Sequence, residues 1–155
     1  MAARGAARGR GARSRGAVGL TPPELVRRAF DIWATRDLEV MAGLYHREIV
    51  YDCSKRILNP DTYVGYEGLI RLSEEIDAIW DTFDISLERL VEVGDGRVIA
   101  LMTSNARGRS SGVELVDTKA ASIFTVKDGV IVHAKLFPER EDAFAEAGIP
   151  YPQTE

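Results

Sequence analysis

Apolar residues in the first half of the chain recur at the spacing of helix faces. The first such stripe follows Thr21 and Glu24, which can form a capping box, and it consists of Leu25, Val26, Ala29, Phe30 and Trp33. Asp37 can cap a second, short helix over residues 38–45. A third stripe predicts a helix from about Glu67 to Trp80. The sequence therefore predicts three helices in its first half.

One strand is predicted among these helices, and the pattern becomes strand-like after Asp84. The apolar run Ile49–Cys53 is the first strand, and a loop of turn-forming residues follows it over 54–66. Turn signals such as Asp128-Gly129 separate four more runs of strand length, which cover residues 85–93, 97–108, 112–126 and 130–137. A last helix is expected over about 139–147, because Gly148 suits the position after a helix end.

This order of elements favours an α+β fold, in which helices pack on an antiparallel sheet. The middle strands are apolar on both faces, with Val98 and Ala100 on one face and Ile99 and Leu101 on the other. A sheet that is buried on both faces must be covered twice. The helices cover one face, and we expect a second copy of the chain to cover the other, which predicts a homodimer.

The composition fits one globular domain. The chain has 155 residues, of which 45% are hydrophobic, and no apolar run reaches the ~20 residues that span a bilayer. We expect a single domain over residues 20–150, a C-terminal tail over 151–155 and no membrane partner. Cys53 is the lone cysteine, which excludes an internal disulfide and favours a reducing, cytoplasmic location.

Charge is distributed unevenly along the chain. Of the 20 basic residues, five are arginines within residues 1–19, where no acidic residue occurs. The rest of the chain has 15 basic and 24 acidic residues, a net charge of −9, which is a poor match for nucleic acid. The segment over residues 1–19 is expected to be a disordered tail. A transit peptide and a basic arm that contacts nucleic acid or acidic lipid are the alternative interpretations.

Three segments carry a resemblance to a known family: residues 30–52 (FDIWATRDLEVMAGLYHREIVYD), 63–72 (YVGYEGLIRL) and 124–149 (FTVKDGVIVHAKLFPEREDAFAEAGI). With the order of elements, the chain resembles the SnoaL-like branch of the nuclear-transport-factor-two-like (NTF2-like) superfamily over about residues 22–149. The resemblance implies a cone-shaped, curved antiparallel sheet wrapped around the N-terminal helices, an α+β barrel of the NTF2-like or cystatin-like kind with an apolar pocket.

That superfamily is functionally mixed. Its members include steroid isomerases, polyketide cyclases, epoxide hydrolases, dehydratases and non-catalytic binding domains. Most of them need neither a metal nor an organic cofactor, so the resemblance implies no cofactor and no metal site here.

Asp52 is the first candidate for chemistry. In the steroid isomerases of this superfamily, a carboxylate at the end of the first strand is the proton-transferring base, and Asp52 matches that position. Strand alternation places Asp52 on the same face as Val50. We expect this face to look into the cone, where desolvation raises the pKa of a carboxyl. The alternative is that Asp52 accepts hydrogen bonds from the loop that follows it.

Two other positions bear on that mechanism. The position that matches Ser122 holds an acid in those isomerases, which hydrogen-bonds the developing oxyanion, and serine is a weaker donor. The tyrosine that they carry on the first helix would fall near Ala29 and Phe30, and it is absent. These departures argue against a faithful steroid isomerase. Ser122 and Phe124 share a face of their strand and are expected to line the pocket.

His133 is another candidate acid or base, and its direction depends on the last hairpin. A two-residue turn at residues 128–129 aligns His133 with Phe124, inside the pocket. A longer turn with a bulge places Ala134 and Leu136 there instead. Both geometries are open at this point.

The remaining pocket candidates are aromatic or amide side chains: Trp33, Tyr45, Tyr63, Trp80 and Asn105. Aromatic groups with polar atoms suit a pocket for a flat apolar ligand, whereas plain core packing is the alternative for each of them. Tyr63 stands out because it lies in a predicted loop. Asn105 ends a central strand, where its amide either points to the cone mouth or begins a turn.

The sequence thus predicts a protein that binds a small hydrophobic molecule, and two interpretations of its activity are open. In the first, it is a cofactor-independent enzyme of the isomerase or cyclase type with Asp52 as general base. In the second, it is a non-catalytic domain that binds a ligand in the cone or a partner on the sheet. The number of polar groups that converge on Asp52 distinguishes the two. No Gly-rich phosphate loop, zinc motif or serine-triad signature occurs in the sequence.

Overall fold

The structure, a computed structural model, describes residues 19–33 and 35–152 of the chain. The predicted tail over residues 1–19 lies outside this part except for Gly19, as does the end of the predicted C-terminal tail. Within the described part, the helices are α1 (Pro22–Asp31), α2 (Leu38–Leu44), α3 (Gly65–Ile79) and α4 (Arg140–Ala147). The strands are β1 (Tyr45–Cys53), β2 (Asp61–Val64), β3 (Trp80–Gly94), β4 (Arg97–Gly108), β5 (Glu114–Lys127) and β6 (Val130–Phe137).

The strands of the described part form one curved sheet in the order β2-β1-β6-β5-β4-β3. The hairpins from β3 to β6 are antiparallel, and they bring β6 next to β1, with which it pairs in parallel. The predicted α+β fold is confirmed, with two corrections to the predicted sheet. The sheet is not wholly antiparallel, and it is not closed into a barrel, because β2 and β3 remain its edges.

The two N-terminal helices begin where their capping residues predict. The backbone N–H of Glu24 donates to Thr21 Oγ1 at 3.2 Å, and the N–H of Thr21 donates to Glu24 Oε1 at 2.9 Å, which completes the capping box of α1. Asp37 begins α2, because its Oδ1 accepts the backbone N–H groups of Glu39 and Val40. No helix of the described part is long and apolar enough to cross a membrane.

The largest local difference from the sequence prediction lies between β1 and α3. The predicted loop over 54–66 contains the short strand β2, which pairs with the end of β1. Gly65 has a φ of 74°, which glycine adopts at little cost, and this turn starts α3 at Gly65 instead of at Glu67. β3 likewise begins at Trp80, directly after α3.

The last hairpin contains features of both geometries that the sequence allows. The turn at residues 128–129 has two residues, both with positive φ. A register shift beside Thr125 then skips one residue of β6, so that Ala134 lies opposite Phe124 and His133 lies opposite Thr125. Ala134 therefore packs in the core under the helices, and His133 points to the other face of the sheet.

Two apolar cores lie on opposite faces of the sheet. The inner core lies against the three N-terminal helices and includes Val26, Ile49, Val98, Ala100 and Phe124. The outer core lies under α4 and includes Ile99, Leu101, Ile123, Phe137 and Phe144. The second cover of the sheet is therefore the chain's own C-terminal helix. This removes the reason given for a homodimer, and the homodimer itself stays a prediction.

Arg140, in the first turn of α4, ties this helix to three strands. Its side chain is only 4% exposed. The guanidinium donates to the carboxylate of Glu88 at 2.9 Å, to the backbone oxygen of Met102 at 2.9 Å and to that of Ala120 at 3.1 Å. The pairing of β3 with β4 shifts register at Glu88, so the carboxylate stands at a bulge of the edge strand. These bonds fix the position of α4 over the outer core.

Candidate functional site

A cavity lies between the three N-terminal helices and the inner face of the sheet. Its volume is about 70 Å³, counted as the space open to the centre of a water-sized sphere, which is room for roughly five water molecules. One side opens to solvent. The helices and the connection from α1 to α2 contribute Ala29, Phe30, Ile32, Trp33, Thr35, Met41, Leu69, Leu72 and Ser73, and the strands contribute Tyr45, Tyr51, Ile85, Met102 and Phe124.

The wall of this cavity is mostly apolar, and its polar side-chain groups are the hydroxyls of Thr35, Ser73, Tyr45 and Tyr51 and the indole N–H of Trp33. No Asp, Glu, His, Lys or Arg is among the described residues that line it. Nor does any group of three or more His, Cys, Asp or Glu residues in the described part lie close enough to hold a metal ion. The wall suits a neutral molecule, because a charged one would lose its hydration without gaining a counter-ion.

Tyr45 and Tyr51 keep their protons at neutral pH. Burial raises the pKa of Tyr45 to about 12. Burial raises the pKa of Tyr51 further still, and the neighbouring Cys53 and Tyr45 also oppose its ionisation. Both phenols are therefore hydrogen-bond donors, and not bases, toward a molecule in the cavity.

Ser73 is held at the cavity wall by a residue that lies outside it. Arg36 Nε donates to Ser73 Oγ at 3.0 Å, and Arg36 Nη2 lies 2.6 Å from Asp77 Oδ2. Because the serine oxygen accepts from a guanidinium, its own hydrogen is left to donate elsewhere. These contacts also fasten the connection between α1 and α2 to α3, beside the cavity.

Asp52 does not line the cavity, and the expectation that it faces the interior is wrong. β1 alternates as predicted, but its inner face is the opposite one. Ile49 and Cys53 are buried on that face, and Tyr51 lies in the cavity wall between them. The carboxylate of Asp52 instead accepts the backbone N–H of Ser54 at 2.9 Å.

The pKa of Asp52 is lowered, where the sequence led us to expect a rise. Burial alone would raise it, but hydrogen bonds from the hydroxyl and the backbone N–H of Ser54 outweigh burial, and the charges of Lys135 and His133 act in the same direction as these bonds. This geometry agrees with the alternative interpretation, in which Asp52 accepts hydrogen bonds from the following loop. Its catalytic role stays a prediction.

Three of the predicted pocket residues lie in the cavity wall, namely Trp33, Tyr45 and Phe124. Trp80 lies outside the wall, and the ring of Phe83 connects it to Trp33. The centre of the Trp80 ring is 6.0 Å from that of Phe83, which is 5.5 Å from the ring of Trp33. The three tilted rings continue from the cavity wall to the end of α3. Whether any of them contacts a ligand stays a prediction.

Tyr63 and Asn105 make structural contacts away from the cavity wall. Tyr63 is fully buried in β2, where its hydroxyl donates to Glu75 at 2.7 Å and accepts from Arg56 at 2.8 Å. Asn105 Oδ1 accepts the backbone N–H of Asp117 at 2.9 Å, and this bond stabilises an irregular point of β5, since Asp117 has a φ of 47°. The Tyr63 hydroxyl and the Asn105 amide oxygen are thus engaged within the protein.

His133 and Ser122 also lie outside the wall, on opposite faces of the sheet. His133 is on the outer face, in the strand next to that of Asp52. Ser122 is on the inner face and is fully buried beside Tyr51, and its Oγ makes no full hydrogen bond among the described residues, only a weak contact with the Tyr51 hydroxyl. Ser122 is therefore a neighbour of the cavity-lining Tyr51 without lining the cavity itself.

The polar cavity residues that sequence reasoning missed are of two kinds: one had a signal in the sequence, and the others had none. Tyr51 had a usable signal, because it shares a strand face with the apolar residues Ile49 and Cys53. Thr35 and Ser73 had none, since a hydroxyl residue in a connection or on a helix usually faces water. Only the packing of α1 and α3 against the sheet brings these hydroxyls to a common space.

Comparison with known proteins is informative for the family. The sequence matches the family profile described as SnoaL-like domain over residues 26–134. No curated protein sequence matches the chain.

Solved structures share the fold at low identity. A protein with a ketosteroid isomerase-like fold from Catenulispora acidiphila, in complex with trimethylamine, is 15% identical, and the match covers 84% of this chain and 96% of that one with a TM-score of 0.63. A protein from Jannaschia assigned to the SnoaL-like polyketide cyclases is 18% identical, with 91% and 100% covered and a TM-score of 0.63. TerC, co-crystallised with polyporic acid, is 16% identical, with 81% and 96% covered and a TM-score of 0.62. Such identities concern the fold alone.

Proposed function

This chain belongs to the SnoaL-like domain family, and we propose that it binds a small, uncharged and mostly apolar molecule in the cavity between its helices and its sheet. The composition of the wall carries the proposal, because apolar side chains surround a few hydroxyls and no charged side chain among the described residues. Burial of an apolar ligand there is favourable, and the hydroxyls orient it. Two structural relatives were crystallised with small molecules, trimethylamine and polyporic acid, which supports a small-molecule partner but not its lack of charge.

The cavity limits the size of the enclosed part of the ligand. Room for roughly five water molecules corresponds to about 150 Å³ of liquid water, a volume in which a benzene-sized ring fits. A molecule with fused rings would have to extend through the open side. Acetophenone, a ketone with one ring, is therefore a suitable probe.

The cavity contains its own reporters for a binding experiment. Two of the chain's three methionines, Met41 and Met102, line the cavity, and the third is Met1. In protein labelled with carbon-13 at the methionine methyl groups, acetophenone should shift the signals of Met41 and Met102 and leave that of Met1 in place. If neither cavity signal moves up to the solubility limit of the probe, the proposal is wrong.

A variant that fills the cavity separates binding inside it from binding on the surface. Ala29 lines the cavity and is 3% exposed. Ala29→Leu should abolish the methyl shifts, at a cost of about 1–3 kcal/mol in the free energy of unfolding. Ala145→Leu makes the same change at an exposed position of α4 and should leave the shifts intact. If Ala29→Leu and Ala145→Leu change the methyl shifts to the same extent, the probe binds outside the cavity.

The finer hypothesis, an isomerase or cyclase with Asp52 as general base, is the second candidate. Its support is the family, since one structural relative is assigned to the SnoaL-like polyketide cyclases. The place of the carboxylate outside the cavity wall and its lowered pKa favour binding without base catalysis by this residue. On the catalytic hypothesis, Asp52→Asn lowers turnover of the true substrate by about 10²–10⁴. On the binding proposal, it leaves the methyl shifts unchanged.

A further inference from the structure

We propose that Tyr51 determines which molecules the cavity accepts, by donating a hydrogen bond to a neutral acceptor oxygen of the ligand, and that Ser122 positions the Tyr51 hydroxyl. The inference rests on the proposed function and adds a chemical class to it. The ligand is a neutral molecule, about one ring in size, with an acceptor oxygen such as that of a ketone.

Strand pairing fixes the direction of Tyr51. In β1 it lies opposite Tyr63 of β2 and Ala134 of β6, so the backbone is paired on both sides. Tyr51 therefore lines the cavity from a strand in the interior of the sheet and not from a loop. A donor on a paired strand is held more rigidly than one on a loop, which suits recognition of a single ligand atom.

Ser122 is the independent observation that points to a polar contact at this place. It is 0% exposed, and its Oγ makes no full hydrogen bond among the described residues, although it lies close enough to the Tyr51 hydroxyl to act on the pKa of that phenol as a weak hydrogen bond, which lowers it. A buried hydroxyl without a partner is unfavourable. The Tyr51 hydroxyl is its neighbour, and rotation of the serine hydroxyl lets it donate to the phenol oxygen. The phenol hydrogen then points away from Ser122 and is left to donate to a molecule in the cavity that Tyr51 lines.

The chemistry of the wall defines what that hydrogen can meet. Burial raises the pKa of Tyr51, so the phenol is protonated and the ligand must supply the acceptor. Among the described residues, the wall has no cation to hold an anionic ligand and no carboxylate to hold an ammonium group. Arg36 contacts the wall residue Ser73 from outside the cavity, and its charge is paired with Asp77. A neutral acceptor is the class that remains.

Two probes of equal shape separate the hydrogen bond from apolar burial. Acetophenone carries a carbonyl oxygen, and α-methylstyrene carries a CH₂ group in its place. Both are titrated into methionine-methyl-labelled protein, with Met41 and Met102 as reporters. Tyr51→Phe should weaken acetophenone about 2–12-fold, as expected for one neutral hydrogen bond, and leave α-methylstyrene unchanged. Benzoate, which has similar size and a negative charge, should bind at least about tenfold more weakly than acetophenone.

Two further variants locate the donor. Ser122→Ala should weaken acetophenone by a smaller factor, about 2–3-fold, again without effect on α-methylstyrene. Tyr45→Phe changes the other phenol of the wall and should affect the two probes equally. A ketone-specific loss in Tyr45→Phe instead of Tyr51→Phe, or equal losses of both probes in Tyr51→Phe, overturns the inference while the proposed function stands. If neither probe binds the unaltered protein, the proposed function itself falls.

A measurement on the unaltered protein makes the test independent of how the variants fold. A donor hydrogen bond withdraws electrons from a carbonyl carbon, so the signal of carbonyl-labelled acetophenone should move downfield on binding relative to its position in hexane. A bound signal at or upfield of the hexane position would show an apolar surrounding and overturn the assignment of Tyr51. Binding detected by the methionine signals together with this result would leave the cavity function intact.

Discussion

At the scale of single residues, the face of β1 that turns inward determines which of its side chains reach the cavity. The sequence places Ile49, Tyr51 and Cys53 on one face of β1 and Val50 and Asp52 on the other, and this alternation is correct. The face that turns inward is the one with three large or apolar side chains, because it buries more apolar area. The sequence interpretation instead gave more weight to Asp52, because its carboxylate matches a motif position of the family, and therefore expected the other face to turn inward.

Asp52→Asn should lower stability at neutral pH and make no difference at low pH. The folded pKa of Asp52 is lowered, so the carboxylate stabilises the fold above its unfolded pKa, and this contribution is lost as the pH falls through the folded value. Asparagine keeps the acceptor for the Ser54 N–H and loses the charge, which is worth about 1 kcal/mol or less. Urea unfolding at about pH 7 and about pH 2.5 measures both differences, because these two values bracket the usual pKa of an aspartate carboxyl, about 3.9.

The matched control is Asp128→Asn, an exposed turn residue with positive φ, which asparagine also tolerates. A loss in Asp52→Asn that is as large in acid as at neutral pH would show that shape, and not charge, is responsible.

At the scale of elements, long patterns were predicted well and short or irregular ones were not. The capping residues Thr21 and Asp37 and the turn at 128–129 act as their chemistry requires. β2 has four residues and follows a proline-containing turn, so its alternation is too short to distinguish from a loop. The register shift beside Thr125 leaves no mark in the sequence, because it arises from how β6 fits between two neighbours.

Gly96→Ala should be among the most destabilising substitutions of a turn residue in this chain. Gly96 has a φ of 77°, and a Cβ at this position would overlap the backbone oxygen of Val126. Val126 also donates its N–H to the oxygen of Gly96 at 2.8 Å, so the two backbones cannot separate without breaking that bond. Backbone strain and overlap together should cost roughly 3 kcal/mol in the free energy of unfolding, measured by urea titration.

Gly129→Ala is the matched comparison for that substitution. Gly129 has a φ of 81°, and a Cβ there would meet no atom within 4 Å. It should cost only the strain of the left-handed backbone, about 1–2 kcal/mol. If both variants lose equal stability, the contact with Val126 does not matter.

At the scale of the whole molecule, one sheet separates two cores that different parts of the chain complete. The N-terminal helices enclose the inner core and the cavity, and α4 covers the outer core. The sequence showed that both faces of the central strands are apolar but not what covers the second face. α4 is only eight residues long, and its buried apolar face consists of Ala143, Phe144 and Ala147, so the stripe is too short to mark the helix as a cover.

Phe144→Ala should therefore lower stability without closing the cavity. Phe144 is 1% exposed, and its ring lies 5.1 Å from that of Tyr151. Removal of a buried phenylalanine ring costs about 3–5 kcal/mol. The shifts of Met41 and Met102 with acetophenone should nevertheless persist, because both methionines belong to the other side of the sheet. Loss of those shifts in a variant that still melts cooperatively would show that the two cores are not separate.

Leu38→Ala serves as the control for stability. Leu38 is 56% exposed, and its truncation should change the free energy of unfolding by about 0.5 kcal/mol or less.

The parallel pairing of β1 with β6 also determines when the sheet can form during synthesis of the chain. β1 ends at Cys53 and β6 begins at Val130, so the interior neighbour of β1 does not exist until roughly 80 further residues have been translated. At about 5–20 residues per second, the ~80 residues between them take on the order of 4–16 s to emerge. During that interval β1 has only the four-residue β2 beside it and exposes one hydrogen-bonding edge to the cell. The strand that contributes Tyr51 to the cavity wall thus waits for β6 before its pairing is complete.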